Sequence, residues 1–274
     1  MNTFFLICLM SENTFHYKEH QIHYYTYGSG KKVMLAFHGF GQNGRAFRPM
    51  ADIMAKEFTI YSFDLFFHGN SLWHFGETPL SKSTWTEIIL AFLSSLNIEK
   101  VALMGYSIGA KFALATLEAV PKRITELILI APDGIKINRW YQLATSVRVT
   151  KKIFKSIIYK PAIFFRVLKA GEKLRIIDRG LSKFAASQMD SLEKRKKVYY
   201  SWIVFSHLKF KMKAISLLLI ENHISVTFYL GSRDKVITHK TIQPLLRKIT
   251  DYKIVSIKSG HNHLIHKVSE HISG

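Results

Sequence analysis

Short apolar runs separated by helical patterns most limit what this chain can fold into. In its first half these runs cover residues 33–37, 58–63, 101–104 and 124–130. Each run is continuous rather than alternating, as in strands that are buried on both faces. Helical patterns fill the intervals, at residues 46–56, 85–96 and 108–120. Strands that alternate with helices predict an α/β fold with a doubly wound, mostly parallel sheet.

The ends of the chain extend this pattern, and its middle departs from it. Residues 15–27 read as an opening hairpin, and strand and helix patterns alternate again after residue 214. Between these halves, residues 133–213 contain amphipathic helical patterns and no convincing strand. We therefore expect a core made of residues 1–132 and 214–274, with a helical cap inserted at 133–213.

Cysteine usage and short motifs argue against a disulfide-bonded protein and against a zinc protein. The chain has 274 residues and one cysteine, Cys8, so no internal disulfide can form, which favours a reducing, cytoplasmic location. It has no C-x-x-C or H-E-x-x-H spacing, so no metal site is predicted. The apolar run before Met10 is too short to span a bilayer and lacks a basic start. Whether translation starts at Met1 or at Met10 stays open.

A G-x-S-x-G motif lies between a strand pattern and a helix pattern. Its fixed positions are Gly105, Ser107 and Gly109. A strand–turn–helix setting is what a nucleophile elbow requires, because the tight turn exposes the serine hydroxyl near the helix N-terminus. The flanking glycines would relieve crowding around this turn. The alternative is a glycine-rich turn in which the serine only caps the helix.

Three further motifs occur in a consistent order along the chain. They are His38–Gly41, residues 64–71, and the late pair of Gly231–Asp234 and Gly260-His261. Together with the elbow, they make the chain resemble the α/β-hydrolase superfamily, in the branch that carries a helical cap. Phe67 stands where the family usually has glycine, which leaves the shape of that loop open.

The resemblance and the chemistry of serine catalysis assign roles to three side chains. Ser107 is the candidate nucleophile, His261 the general base, and Asp234 the acid that orients the histidine. The chain order of serine, aspartate and histidine is the one this fold uses. Asp133 is the alternative acid, because some members of the family that the chain resembles carry the acid after the strand that precedes the cap.

Backbone groups complete the predicted site. The oxyanion hole is expected from the N–H groups of Phe40 and Ile108. Four supporting residues would shape the loops around it: His38, Gly39, Gly105 and Gly109.

These residues predict an enzyme that cleaves a carboxylic ester or a related acyl compound through an acyl-enzyme on Ser107, without a metal or organic cofactor. A C–C bond hydrolase or lyase of the capped kind would use the same three side chains and is one alternative. A catalytically silent binding protein on the same fold is another. A serine at position 107 argues against relatives that use an aspartate nucleophile there.

The net charge of +20 is concentrated in one part of the sequence. Residues 134–213 hold 20 Lys and Arg against 4 Asp and Glu. The stretch at 151–160 interleaves bases with large apolar residues, as membrane-surface helices do. One interpretation is that the bases are the solvated faces of cap helices. The other is that they attract an anionic acyl substrate or an anionic membrane. No nucleic-acid-binding motif accompanies the charge, so a nucleic-acid partner is not expected.

Overall fold

A computed structural model describes residues 10–136 and 139–273 of the chain. The predictions for Cys8 and for the apolar run before Met10 lie outside these residues. Contacts group the described residues into two compact units. The first comprises the residues up to His74, Ser81–Lys136, and those from Leu208 onward. The second comprises Phe75–Leu80 and the residues between Lys136 and Leu208.

The first unit is built on an eight-stranded sheet. Its strands are β1 (Met10–Tyr17), β2 (His20–Tyr27), β3 (Lys32–Phe37), β4 (Phe58–Phe63), β5 (Val101–Tyr106), β6 (Ile124–Ile130), β7 (Ser225–Gly231) and β8 (Tyr252–Ile257). They lie in the order β1-β2-β4-β3-β5-β6-β7-β8. Strand β2 is antiparallel to β1 and β4, and the remaining pairs are parallel. The predicted α/β fold with a mostly parallel sheet is confirmed.

Eleven α-helices lie within the described residues. They are α1 (Arg48–Met54), α2 (Lys82–Ser95), α3 (Gly109–Ala119), α4 (Arg139–Ser146), α5 (Arg148–Ile157), α6 (Ala162–Lys173), α7 (Arg179–Ser187), α8 (Leu192–Val204), α9 (Met212–Glu221), α10 (His239–Leu246) and α11 (Leu264–Ser273). In this part of the chain no helix has both the length and the apolar character needed to cross a bilayer. The helix pattern at 46–56 splits into a 3₁₀ turn and α1, where Pro49 in the first turn starts the α-helix without needing an N–H partner.

The core of the first unit surrounds the middle strands. Residues 34–37 of β3 are fully buried, as is nearly every side chain of α3. The Phe37 ring lies 5.4 Å from Phe63, 5.8 Å from Trp85 and 6.2 Å from Phe112, measured between centroids. Because these aromatic contacts clamp β3 and α3 together, the turn that joins β5 to α3 has a rigid base.

The second unit is helical and includes one distant segment. Helices α4–α8 lie in it, and buried Ile158, Tyr199 and Ile203 form its apolar cluster. The segment Phe75–Leu80 joins it through a hydrogen bond of 2.8 Å from Leu80 N to the carbonyl oxygen of Val204. The sequence had placed this segment in the 1–132 core. A cap with boundaries at 133 and 213 stays a prediction.

Glu77 is the polar centre of the second unit. Its carboxylate accepts bonds from Lys155 Nζ at 2.6 Å, from Lys151 Nζ at 3.1 Å and from the Tyr199 hydroxyl at 3.1 Å. Burial alone would raise the pKa of Glu77, but the bonds from Lys155, Lys151 and Tyr199 outweigh burial and lower the pKa below its ordinary value. The carboxylate therefore stays charged and links Phe75–Leu80 to α5 and α8.

Candidate active site

Ser107 occupies the turn between β5 and α3 in a backbone conformation that few side chains adopt. Its φ angle is +50°, in the left-handed region. Its N–H donates to the Ile130 carbonyl at 2.9 Å, and its carbonyl accepts the N–H groups of Ala110 and Asp133, each at 3.0 Å. The left-handed conformation costs a non-glycine residue about 1–2 kcal/mol. The three backbone bonds hold Ser107 in place against that cost.

The glycines on either side of Ser107 are required by space. A Cβ on Gly105 would lie 2.7 Å from Ala110 Cα. A Cβ on Gly109 would lie 2.0 Å from the carbonyl oxygen of Phe37. Neither contact can be relieved by moving a flexible side chain, because both involve the backbone. The turn therefore has the close packing that its G-x-S-x-G sequence predicts.

His261 lies between Ser107 and Asp234. Its Nε2 is 3.0 Å from Ser107 Oγ, and its Nδ1 is 2.7 Å from Asp234 Oδ2. A neutral imidazole that donates from Nδ1 to the carboxylate carries a lone pair on Nε2, which can accept the serine proton. The structure thus brings together the three side chains that the sequence singled out, although they are distant along the chain.

The carboxylate of Asp234 is fully buried and is fixed from its other side. Its Oδ1 accepts the N–H groups of Val236 at 2.7 Å and Ile237 at 3.0 Å. Hydrogen bonds to both oxygens leave the carboxylate little freedom to rotate. The negative charge is therefore held where it can orient His261 and stabilise its protonated form.

Tyr106 is a site residue that the sequence did not indicate. Its hydroxyl donates to the carbonyl oxygen of His261, and its ring lies 5.5 Å from the imidazole between centroids. Burial raises the pKa of Tyr106, and the nearby charge of Asp234 raises it further, so the phenol stays a neutral donor. A Cβ on Gly39 would lie 2.6 Å from this ring. Tyr106 occupies an unconstrained position of the motif, which explains why no sequence signal marks it.

The predicted oxyanion loop follows β3 and is braced by His38. This imidazole is fully buried, and its Nδ1 donates to the Gly39 carbonyl at 2.7 Å. Its Nε2 accepts the Leu65 N–H at 3.0 Å, which ties the loop to the segment after β4. Phe40 packs edge-on against His68, with ring centroids 5.1 Å apart. Within the described residues, the N–H groups of Phe40 and Ile108 donate to no protein acceptor.

The loop after β4 keeps a glycine-like backbone despite Phe67. The φ angle of Phe67 is +67°, and that of Gly69 is +51°. Asp64 fills the loop and accepts the N–H groups of Gly44 at 2.7 Å and Asn70 at 2.8 Å. The substitution at position 67 therefore retains the left-handed turn, and only a side chain is added.

Asp133, the alternative acid, bonds elsewhere. Its Oδ2 lies 3.1 Å from Nζ of the buried Lys111, and its Oδ1 accepts the Gly134 N–H at 2.7 Å. Only its backbone contacts the elbow, through the bond to the Ser107 carbonyl. The structure therefore places Asp234, and not Asp133, against His261.

The sequence pattern of the α/β-hydrolase fold family matches residues 32–268. The chain belongs to this family. It is 29% identical over 120 residues to an uncharacterized protein of Mycobacterium tuberculosis, covering 43% of this chain and 34% of that protein. It is 26% identical over 110 residues to a pimeloyl-[acyl-carrier protein] methyl ester esterase of Aliivibrio salmonicida, covering 40% and 39%. The matched segments thus span little more than a third of these relatives.

Solved structures agree with the family on the fold. An esterase from the thermophile Thermogutta terrifontis superposes with a TM-score of 0.68, covering 97% of this chain and 96% of the esterase at 14% identity. The resemblance to α/β-hydrolases is confirmed.

Proposed function

We propose that this protein is a serine hydrolase that cleaves a carboxylic ester or a related acyl compound. The observation that carries the proposal is the hydrogen-bonded series of Ser107, His261 and Asp234, with the serine in a left-handed elbow. A capping serine, which was the alternative role for this residue, needs neither the histidine nor the buried carboxylate.

In the proposed reaction, Ser107 Oγ attacks the carbonyl carbon of the substrate while His261 Nε2 takes the serine proton. The resulting imidazolium passes this proton to the leaving alcohol as the C–O bond breaks, and an acyl-enzyme remains. Water then attacks the acyl carbon with His261 again as base. The C–O bond to Ser107 breaks, the acid leaves, and the serine recovers its proton.

The oxyanion that forms at each attack needs hydrogen-bond donors. The N–H groups of Phe40 and Ile108 suit this role, because neither has a protein acceptor in the described part of the chain. Ile108 is also the residue that precedes the first turn of α3, so the positive end of the helix dipole adds to the stabilisation.

The relatives and the charge guide the choice of substrate. The pimeloyl-[acyl-carrier protein] methyl ester esterases favour an ester of a carboxylic acid. Residues 134–213 contain 20 Lys and Arg but only 4 Asp and Glu. Because positive charge attracts anions, this composition favours a substrate whose acyl chain carries negative charge. Location in the cytoplasm stays a prediction that depends on cysteine usage.

The test is a hydrolysis screen with p-nitrophenyl esters and acyl thioesters of graded length. Ser107→Ala should lose at least about a thousandfold in kcat/KM, because the nucleophile is gone. It should also lose covalent labelling by a fluorophosphonate probe. Ser83→Ala, at a serine of α2, is the matched control and should behave like wild type. Hydrolysis by Ser107→Ala within about tenfold of wild type would contradict the proposal.

A second arm tests the charge of the substrate. Two esters of equal size, one with an anionic acyl chain and one neutral, are compared over a range of added salt. Only the anionic ester should lose kcat/KM steeply, because salt screens long-range attraction. An equal response of both esters would contradict an anionic substrate and leave the serine mechanism untouched.

A further inference from the structure

Helices α5 and α6 expose large apolar side chains that a helix in water would ordinarily bury. The exposed fractions are 65% for Val149, 51% for Ile153, 53% for Ile163, 64% for Val167 and 68% for Leu174, which directly follows α6. Single exposed apolar residues are normal on a protein surface, but a concentration on two neighbouring helices marks an interaction surface.

The spacing of these residues places them in stripes. In α5, Val149 and Ile153 are four residues apart, and in α6 Ile163 and Val167 are also four apart. Residues at this spacing lie above one another on a single helix face. Other residues of these helices pack inward: the partly buried Phe154 of α5 packs on Tyr199 with ring centroids 5.2 Å apart, and Leu168 of α6 is buried.

Exposed bases lie among the apolar residues. They are Lys152, Lys160, Arg166, Lys169 and Lys173. Within the described residues, no acidic side chain lies within 4.0 Å of any of these five. Lys151 and Lys155 are different, because both pair with Glu77. Residues 148–176 hold nine Lys and Arg against one acid, Glu172.

We propose that this basic-apolar face, formed by the five apolar and five basic residues named above, docks on a lipid bilayer that contains anionic lipids. The apolar side chains would enter the boundary between headgroups and acyl chains, and the bases would contact lipid phosphates. The inference goes beyond the proposed hydrolysis and does not depend on Ser107.

Charge argues for a bilayer over other occupants. A second copy of the chain would set two strongly basic faces against each other, which is repulsive. Protein interfaces are depleted of charge at their centre, whereas here the bases alternate with the apolar residues. Such interleaving is typical of helices that lie in a membrane interface.

The test measures co-sedimentation of the full chain with vesicles of phosphatidylcholine alone or mixed with phosphatidylglycerol. Wild type and Ser107→Ala are run in parallel, so that binding is separated from any hydrolysis of lipid. We expect both to bind the mixed vesicles, to bind much less at high salt, and to leave pure phosphatidylcholine largely unbound.

Variants then locate the surface. A charge variant, K152Q/R166Q/K169Q, should weaken binding by roughly a hundredfold, because each base near an anionic surface contributes about 1 kcal/mol. An apolar variant, I153Q/V167Q, should weaken it by about tenfold or more. The matched controls remove the same groups from the first unit, with K240Q/K248Q/K253Q for charge and L217Q/I220Q for apolar area. Circular dichroism and melting curves check that every variant folds.

Three results would overturn the proposal. The first is no binding of wild type to mixed vesicles at low salt. The second is an equal loss in the controls, which would reduce the effect to net charge. The third is a concentration-dependent dimer that the apolar variant dissociates, without vesicle binding, which would assign the face to a second copy of the chain.

Discussion

The two units end a helix in the same way and with opposite results. After α6, Arg175 adopts φ +57° and Ile176 N–H bonds to the Gly171 carbonyl at 2.9 Å. After α9, His223 adopts φ +52° and Ile224 N–H bonds to the Leu219 carbonyl at 2.9 Å. This is the Schellman motif. In it, an apolar residue at the second position after the C-cap, here Ile176 or Ile224, ordinarily packs back on its helix.

The difference lies in what surrounds the isoleucine. Ile224 of the first unit is 2% exposed, whereas Ile176 of the second is 76% exposed. The same helix-ending motif therefore places its isoleucine in a packed core in the first unit and on the surface in the second. At these two helix ends, the apolar side chain is closely packed in the first unit and exposed to solvent in the second.

The largest expected effect tests which carboxylate of the first unit, Asp234 or Asp133, orients His261. Asp234→Asn should lower kcat by about ten-thousandfold, because an amide favours the wrong imidazole tautomer. Asp133→Asn removes the negative charge that pairs with Lys111 and should affect stability more than rate. The measurement is kcat on the best ester of the screen. A larger loss in Asp133→Asn would reverse the assignment of the acid.

Two glycines with nearly the same φ angle compare the packing of the units. Gly69, φ +51°, has no room for a Cβ, which would lie 1.8 Å from Asp64 Oδ2. Gly76, φ +54°, lies in the second unit with no atom within 4 Å of its added Cβ. Gly69→Ala should cost about 3 kcal/mol or more of unfolding free energy, because backbone strain adds to displacement of a buried carboxylate.

Gly76→Ala is the control and should cost only the backbone strain, about 1 kcal/mol. Chemical denaturation measures both. Equal losses would mean that packing around Gly69 is looser than its contacts indicate.

The next largest effect on stability is expected at the two isoleucines that follow α9 and α6, Ile224 and Ile176. Ile224→Ala should lower the free energy of unfolding by about 2–4 kcal/mol, since it opens a cavity in the core. Ile176→Ala should change it by less than about 0.5 kcal/mol, as exposed substitutions do. Urea unfolding curves of the two variants supply the comparison. A substantial loss in Ile176→Ala would show that this residue is packed in solution.

Glu77 differs from the exposed side chains of the second unit, because its carboxylate accepts several hydrogen bonds. Glu77→Gln should cost about 1–2 kcal/mol of stability near neutral pH, because charge-assisted bonds to two lysines weaken. The lowered pKa of Glu77 means that its contribution is present above the ordinary value of 4.5 and is lost as the pH falls through the folded-state pKa. Melting temperatures of wild type and variant should therefore converge in acid.

Glu87→Gln is the matched control, because Glu87 also accepts bonds from a lysine and a tyrosine but is exposed. Its removal should leave the melting temperature nearly unchanged, as for other surface ion pairs. If both variants respond alike at every pH, the carboxylate of Glu77 is as solvated as that of Glu87.

The sequence was informative wherever a local rule governed the structure. The apolar runs predicted the buried strands, and runs 58–63 and 124–130 coincide with β4 and β6. Strand ends carry Ser107, Asp234 and His261 because parallel strands place their carboxyl ends along one edge of the sheet. Motif order therefore anticipated that Ser107, His261 and an acid would meet, with Asp234 favoured and Asp133 left open as the alternative acid.

Partners distant along the chain could not be anticipated in this way. The bond from the Tyr106 hydroxyl to the His261 carbonyl joins residues 155 positions apart. The pairing of Lys111 with Asp133 depends on how α3 packs beside the end of β6. Neither contact follows from periodicity or from a motif. Both depend on how elements that are distant in sequence pack against each other in the folded chain.

The route of the chain through Phe75–Leu80 bears on how this protein can be modified by recombination. Those residues lie between β4 and α2 in sequence, yet Glu77 and Leu80 bond within the second unit. A chimera that exchanged only the long helical segment would leave Lys151 and Lys155 without their carboxylate. An exchange that keeps these bonds needs four crossovers instead of two, because Phe75–Leu80 must be exchanged together with the long helical segment.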